Sequence, residues 1–309
     1  IGGVFASLDS LKRMMPQEAL WPPTNDTWSL HTVIQGVHYF DALFAALDAR
    51  YGKPADIDDF VKKGWVMNYE SARGMFEAYG RNKYDALGIT TWKYDAAWPA
   101  ALTWQYVDWY LGPTGAYFGA QKACEPLHVQ YSYDDRSVWV VNTRSSDAKG
   151  LKVRARVLNL DATEKLAKEV TVDVGPDGKT QAFVLDWPEG LTKTYFLRID
   201  LEDAEGKAVS GNFYWLSTVP DVPGEIDDDD RDFRIRPKSV ADFTDLAKLP
   251  PVKLEVFASA HSRSAFFAPE TRRQKHYTVE VANPSNSVAF FVRLALTRGE
   301  GGPEVAPAF

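Results

Sequence analysis

Apolar residues along the first part of the chain recur at helical spacing. In SLDSLKRMM the residues Leu8, Leu11, Met14 and Met15 predict an amphipathic helix starting near Ser7. In TVIQGVHYFDALFAALDARYG the residues Val33, Val37, Phe40, Phe44 and Leu47 share one side of a second helix, and Gly52 stands where it should stop. DIDDFVKKGWVMNYESARGMFEAYG predicts a third, with acidic residues at its dipole-positive start and Phe60, Trp65, Tyr69, Phe76 and Tyr79 along its length. The run Gly88 to Trp92, GITTW, is β-prone and predicts a strand, and a further short helical region follows it. Long helix, short strand, helix is the rhythm of βα units.

From Leu127 the period changes from about 3.6 to 2. HVQYSYDD, SVWVVNTR, KVRARVLNL, KEVTVDVG, QAFVLDW, TYFLRIDLED and NFYWLS are seven strand-like runs within about 90 residues, separated by turns such as DAKG, PDGK and AEGK. That number and spacing predict an immunoglobulin-like β-sandwich. A Pro- and Asp-rich stretch over 220–250 reads as a linker. VKLEVFAS, KHYTVEVANPS and VAFFVRLALTR then predict the first strands of a second sandwich over 251–309. The chain is therefore read as multidomain, α/β followed by all-β: 1–125, 126–219, 220–250 and 251–309.

Composition narrows the function classes. With 309 residues, 45% of them hydrophobic, the chain can bury several cores and lacks the polarity of a disordered protein. Its net charge of −7 is spread along the length, with no basic stripe for a phosphate backbone, so nucleic acid is not an expected partner. No apolar run reaches the ~18–20 residues that cross a bilayer, so no membrane partner is expected. Cys124 is the only cysteine, which rules out an internal disulfide and a cysteine zinc cage. The sequence opens without methionine or a leader and closes in what reads as mid-loop, so it is read as a piece of a longer polypeptide with any secretion signal upstream.

Seven of the ten tryptophans precede residue 110, and Trp92, Trp98, Trp104 and Trp109 are concentrated together. An indole face stacks on the axial C–H patch of a pyranose, and it equally fills a large core, so both roles stand open for each. Asp227 to Asp230 lack the glycine and distal glutamate of a calcium loop and read as a solvated linker. His31, His38, His128, His261 and His276 form no helical zinc pair and read as structural or surface residues. GPTGAYFGAQKA lacks the order of a phosphate loop, and Cys124 reads as an ordinary small buried residue. Of the carboxylates near the tryptophans, Glu70 and Glu77 read as solvent-facing or helix-pairing. Asp95, just past the predicted strand, is the one placed for a site.

The run GAYFGAQKACEPLHVQYSYDDRSVWVVN over 115–142 resembles the junction between barrel and sandwich in glycoside hydrolase family 2, in its exo-β-glucosaminidase and β-mannosidase branch. SLDSLKRMM, YESARGMFEAYGRN, the Trp92-x5-Trp98 spacing and NFYWLS are similar to that branch in order. The resemblance covers most of 1–218 and is weaker after 250. It implies that residues 1–125 are the carboxy-terminal part of a (β/α)8 TIM barrel with 88–92 as its eighth strand, followed by immunoglobulin-like β-sandwich domains. It places Trp92 at a strand's carboxyl end, lining the subsite for the released sugar, with Asp95 and Trp98 on the adjoining loop.

The family retains anomeric configuration by a two-glutamate double displacement. The resemblance puts both glutamates upstream of Ile1, so none of the residues here is catalytic and the chain alone is expected to be inactive. A β-linked mannoside or glucosaminide is the implied substrate. The implied partner is the upstream barrel segment, in the same protein or as a second chain. No cofactor or metal is implied, and a periplasmic or extracellular setting is. Two other readings are a non-catalytic carbohydrate-binding or scaffolding protein, and hydrolysis within this chain using Asp95.

Overall fold

The computed structural model describes residues 3–32, 41–224, 237–263, 274–299 and 302. Its first part is built from helices. Ser7 caps α1 (Leu8–Met14) by accepting the Ser10 N–H at 3.1 Å, with Asp9 in the first turn and Lys12 and Arg13 in the last, each complementing the helix dipole. A five-residue helix, α2 (Asp26–Leu30), is capped by Asn25 and is too short to leave a periodic signature in sequence. The second predicted helix is observed as α3 (Asp41–Tyr51) and ends at Gly52, whose φ of +79° suits a residue without Cβ. The preceding part of that prediction, 33–40, lies outside the described residues. The long α4 (Ile57–Arg81) starts where the Asp56 carboxylate accepts the Asp59 N–H at 2.9 Å.

The predicted strand at 88–92 is not formed. Two short strands, β1 (Val4–Phe5) and β2 (Leu102–Thr103), pair antiparallel, and nothing among the described residues pairs with 88–92. A strand needs a neighbour to satisfy its N–H and C=O groups, and propensity alone cannot supply one. Around these pieces the core is aromatic. Phe60 meets the edges of Phe5, Phe44 and Trp28 at centroid distances of 4.9, 5.5 and 6.0 Å.

Helix α5 (Gly115–Ala123) crosses α4 closely. A Cβ at Gly115 would lie 2.3 Å from the Trp65 carbonyl oxygen, and one at Gly119 would lie 2.2 Å from that of Tyr69. The glycines of GPTGAYFGAQKA thus serve helix packing.

All seven predicted strands of the first sandwich form: β3 (Leu127–Tyr131), β4 (Ser137–Asn142), β5 (Ala148–Asn159), β6 (Glu164–Val174), β7 (Lys179–Val184), β8 (Thr194–Glu202) and β9 (Ala208–Ser217). They make two antiparallel sheets, β3-β4-β7 and β6-β5-β8-β9. Alternation is clean in β5, where Leu151, Val153, Ala155 and Val157 are buried while Lys152 and Arg154 face out. These residues interleave with Val129, Val138, Leu197 and Ile199 between the sheets.

On the other face of the larger sheet, Phe196 and Trp215 join the helical core instead, together with Phe243 from the stretch read as linker. A second joint lies at the β6–β7 turn. Asp177 there receives the Lys83 ammonium and the Tyr84 hydroxyl, both just past the end of α4.

Beyond it, β10 (Glu255–Arg263) and β11 (Gln274–Ala282) form an antiparallel hairpin, matching two of the three predicted strands. The third run, VAFFVRLALTR, is not a strand. Phe291 takes a φ of +52°, breaking the extended path. Phe290 packs on Trp215 at 5.2 Å and Phe291 on Tyr69 at 5.6 Å, so the apolar residues turn toward the helical core.

Candidate functional site

The segment that carries Trp92, Asp95 and Trp98 runs over the surface between α4 and β2. Two backbone N–H groups, of Tyr106 and Val107, converge on the Tyr94 carbonyl at 2.9 Å, and Ala96 N–H donates to Val107 at 3.2 Å. This short parallel contact at Asp95 and Val107 holds the middle of the segment. Below it the Tyr94 and Tyr106 rings lie parallel, 6.4 Å apart.

Trp92 is 82% exposed and stacks on no other described ring. Asp95 is exposed as well. Trp98, at 39% exposure, is braced: the His31 ring lies parallel to it at 5.9 Å with an interplanar angle of 9°. His31 is itself fixed, its Nδ1 sitting 2.6 Å from the Pro99 carbonyl oxygen and its own carbonyl accepting the Ala101 N–H at 2.7 Å. One face of the Trp98 indole is thereby occupied by imidazole, and the residue keeps a solvent-facing surface. Sequence reasoning did not single out His31 for this. Its only signal is a histidine after a short capped turn.

The titratable chemistry of the chain concentrates elsewhere, in the seam between α4 and the sandwich. Glu77, read from sequence as solvent-facing or helix-pairing, is buried. Its Oε1 accepts from Asn212 Nδ2 at 2.6 Å, from the Tyr214 hydroxyl at 2.9 Å and from His128 Nε2 at 3.0 Å. His128 Nδ1 faces Glu125 at 3.1 Å. Burial works to lower the His128 pKa, but the hydrogen bonds to Glu125 and Glu77 outweigh it and hold it above its ordinary value. Burial likewise pushes Glu125 up, yet the bonds from His128, Lys122 and Ser210 bring its carboxyl down to about 2.

Arg73 is fully buried, donating to Asn212 Oδ1 at 3.0 Å and to the Phe213 carbonyl at 2.6 Å, with its guanidinium 4.0 Å from the Tyr214 ring centre. The signal that would have found both residues is the row Trp65, Tyr69, Arg73, Glu77, four apart along one face of α4. Glu70 is half-buried, accepts from Tyr51 and Tyr133 at 3.2 and 3.4 Å, and is raised chiefly by burial.

His128 is structural, as read from sequence. Cys124, read as buried, is an exposed residue at the end of α5. The Asp227 to Asp230 run and His38 lie outside the described residues. Among the described residues no cluster of His, Cys, Asp and Glu could hold a metal ion, and no helix is long and apolar enough to cross a membrane.

Comparison with known proteins fixes the family. Residues 134–219 match the mannosidase Ig/CBM-like domain, and residues 233–309 match the exo-β-D-glucosaminidase Ig-fold domain. An exo-β-D-glucosaminidase of Streptomyces avermitilis is 44% identical over 235 residues, which is 72% of this chain and 25% of that protein. The chain belongs to the exo-β-D-glucosaminidase and β-mannosidase branch of glycoside hydrolase family 2. An exo-β-D-glucosaminidase of Arthroderma benhamiae is 32% identical and matches 97% of this chain and 33% of its own length.

Among solved structures, the Amycolatopsis orientalis exo-chitosanase superposes with a TM-score of 0.81 at 33% identity, covering 92% of this chain and 34% of that one. The β-D-mannosidase of Dictyoglomus thermophilum shares the fold, with a TM-score of 0.63 at 14% identity over 92% of this chain and 35% of that one. The chain thus spans about a quarter to a third of the length of its curated glycoside hydrolase relatives.

Proposed function

We propose that this chain is part of a retaining β-glycosidase, that residues 3–125 are the end of its (β/α)8 barrel, and that the segment 88–98 walls its sugar subsite. The observation that carries the reading is Trp92. A large indole left 82% exposed, one turn of chain from a braced second indole, has no packing role to explain it. On the barrel reading 88–92 is the eighth strand, and it lacks strand partners because the first and seventh strands belong to the rest of the polypeptide. Trp92 then stacks on the sugar being released, Trp98 holds the adjoining edge, and Asp95 accepts hydrogen bonds from sugar hydroxyl or amino groups.

The two glutamates of the double displacement belong upstream. One attacks the anomeric carbon while the other protonates the departing oxygen and then activates water. A β-linked glucosaminide is the better supported substrate, since the relatives above 30% identity carry that activity in their names. A β-mannoside is the second.

The test is hydrolysis of aryl β-glucosaminide and aryl β-mannoside by the longest natural polypeptide containing this sequence, beside the 309-residue chain. Turnover by the former and none by the latter is expected. Turnover by the 309-residue chain that is lost in Asp95→Asn would overturn the assignment of the glutamates upstream.

A further inference from the structure

Where α4 meets the end of the first sandwich, Glu70, Tyr133, Arg136, Trp187, Leu191 and Asp221 border a cleft of about 640 Å³. That is within the ~300–1,000 Å³ of small-molecule sites. Neither Trp92, Asp95 nor Trp98 borders it. Its walls come from separate pieces of chain: α4, the β3–β4 turn, the β7–β8 loop and the segment after β9.

Two aromatic rings are presented here with their edges anchored. Trp187 packs edge-on to Tyr195 at 5.4 Å and against Tyr131 at 5.9 Å, both from the sandwich core. Tyr133, 45% exposed, packs edge-on to Tyr131 at 5.4 Å and Tyr214 at 5.9 Å. Rings fixed in this way are flat apolar platforms that lose little freedom when covered.

The polar groups are equally specific. Glu70 accepts the Tyr51 and Tyr133 hydroxyls, and Arg73 Nη2 lies 3.4 Å from the same Tyr133 oxygen. Asp221 is paired with Arg50 at 2.5 Å. Asp221 is therefore already paired with a guanidinium, and Glu70 already accepts two tyrosine hydroxyls. Arg136, exposed in the β3–β4 turn with a φ of +62°, makes no side-chain hydrogen bond to another described residue. The cleft thus offers flat rings, a carboxylate already paired with Arg50, a second that accepts two tyrosine hydroxyls, and one guanidinium fork without a side-chain hydrogen bond to a described residue.

We propose that this cleft is a second carbohydrate-binding site, separate from the Trp92 segment, that takes a neutral pyranoside chain. Trp187 and Tyr133 stack on the C–H faces of the sugar rings, while Arg136 donates to neighbouring hydroxyls and Glu70 accepts from them. An ammonium-bearing chain is disfavoured because Arg136 repels it, Asp221 is already paired with Arg50, and Glu70 already accepts two tyrosine hydroxyls. The proposal concerns a site distinct from hydrolysis and stands or falls independently of the barrel reading.

The test titrates the protein with β-1,4-mannotriose, and with the trimer of β-1,4-glucosamine, by calorimetry in a Trp92→Ala background that weakens the first site. Saturable binding of mannotriose is expected, weakened at least about tenfold by Arg136→Ala, in line with loss of a charge-assisted hydrogen bond. The exposed Arg136 can be removed without disturbing the core, and an unchanged urea midpoint confirms it. Trp187→Phe, which keeps an aromatic ring in place, should weaken binding less than Trp187→Ala. The proposal is overturned if mannotriose does not bind, if only the glucosamine trimer binds, or if Arg136→Ala leaves the affinity unchanged.

Discussion

Replacing Glu77 by Ala should open the seam between α4 and the sandwich. The side chain receives three hydrogen bonds on one oxygen, from Asn212, Tyr214 and His128 at 2.6, 2.9 and 3.0 Å, and all four residues are buried. Both His128 nitrogens face carboxylates, so the ring, when protonated, donates to each. Hydrogen bonds to a charged group are each worth ~1.5–3 kcal/mol, and a simple sum over three would exceed what the site can lose once its neighbours relax. Breaking one partner out of a buried ion pair costs about 3–5 kcal/mol, and that is the expected loss for Glu77→Ala. Glu77→Gln keeps an acceptor oxygen and should cost ~1–3 kcal/mol.

The pH dependence follows from the two shifts. The folded-state pKa of His128 lies above its ordinary 6.5, so its stabilisation is complete below about pH 6.5 and is lost as pH rises through the raised value. Glu125 is lowered from 4.5 to about 2, so its share is complete above about pH 4.5 and is lost as pH falls toward 2. Urea unfolding at pH 6 and pH 9, followed by tryptophan fluorescence, measures the His128 effect, and the same unfolding at pH 5 and pH 3 measures that of Glu125. A difference between wild type and Glu77→Ala of less than ~1 kcal/mol at pH 6, or one that stays the same at pH 9, would refute the reasoning.

Trp92→Ala should leave stability within ~0.5 kcal/mol, since the ring is exposed, while kcat/KM of the longer polypeptide falls roughly tenfold or more. Unchanged kcat/KM would remove Trp92 from the sugar subsite. Gly119→Ala adds a methyl 2.2 Å from the Tyr69 carbonyl oxygen, so the ~1 kcal/mol gained in helix propensity should be outweighed and the melting temperature should fall. A rise would mean that α4 and α5 have slack. Cys124 should react once per chain with a maleimide under native conditions, and labelling only after denaturation would contradict its exposure.

Local and repetitive features were legible in the sequence. The seven sandwich strands followed from period-two alternation and turn residues, and α1 and α4 from stripes and caps, because these signals sit within a few residues of one another. What depended on a distant partner was not legible. GITTW has strand chemistry but pairs with no strand among the described residues. VAFFVRLALTR alternates poorly and is drawn off by Trp215 and Tyr69. Glu77 carries the same letter as a solvated helix residue, and only its place in the Trp65, Tyr69, Arg73 row marks its face as buried. Tryptophan density drew attention to Trp92 and Trp98, yet it could not reveal that His31 backs one ring and nothing described backs the other.

The clasp at Asp177 has an implication for how such chains can be recombined. The turn between β6 and β7 grips Lys83 and Tyr84, and Lys179 reaches Asp85 at 3.8 Å, four residues after α4 has ended and a few before Trp92. Along the sequence, residue 126 looks like a natural splice point between a helical module and an all-β one. In space, a cut there would strand the root of the Trp92 segment from the turn that steadies it. A functional chimera would therefore have to inherit residues 82–92 and 175–180 from the same parent, making two distant stretches a single hereditary unit.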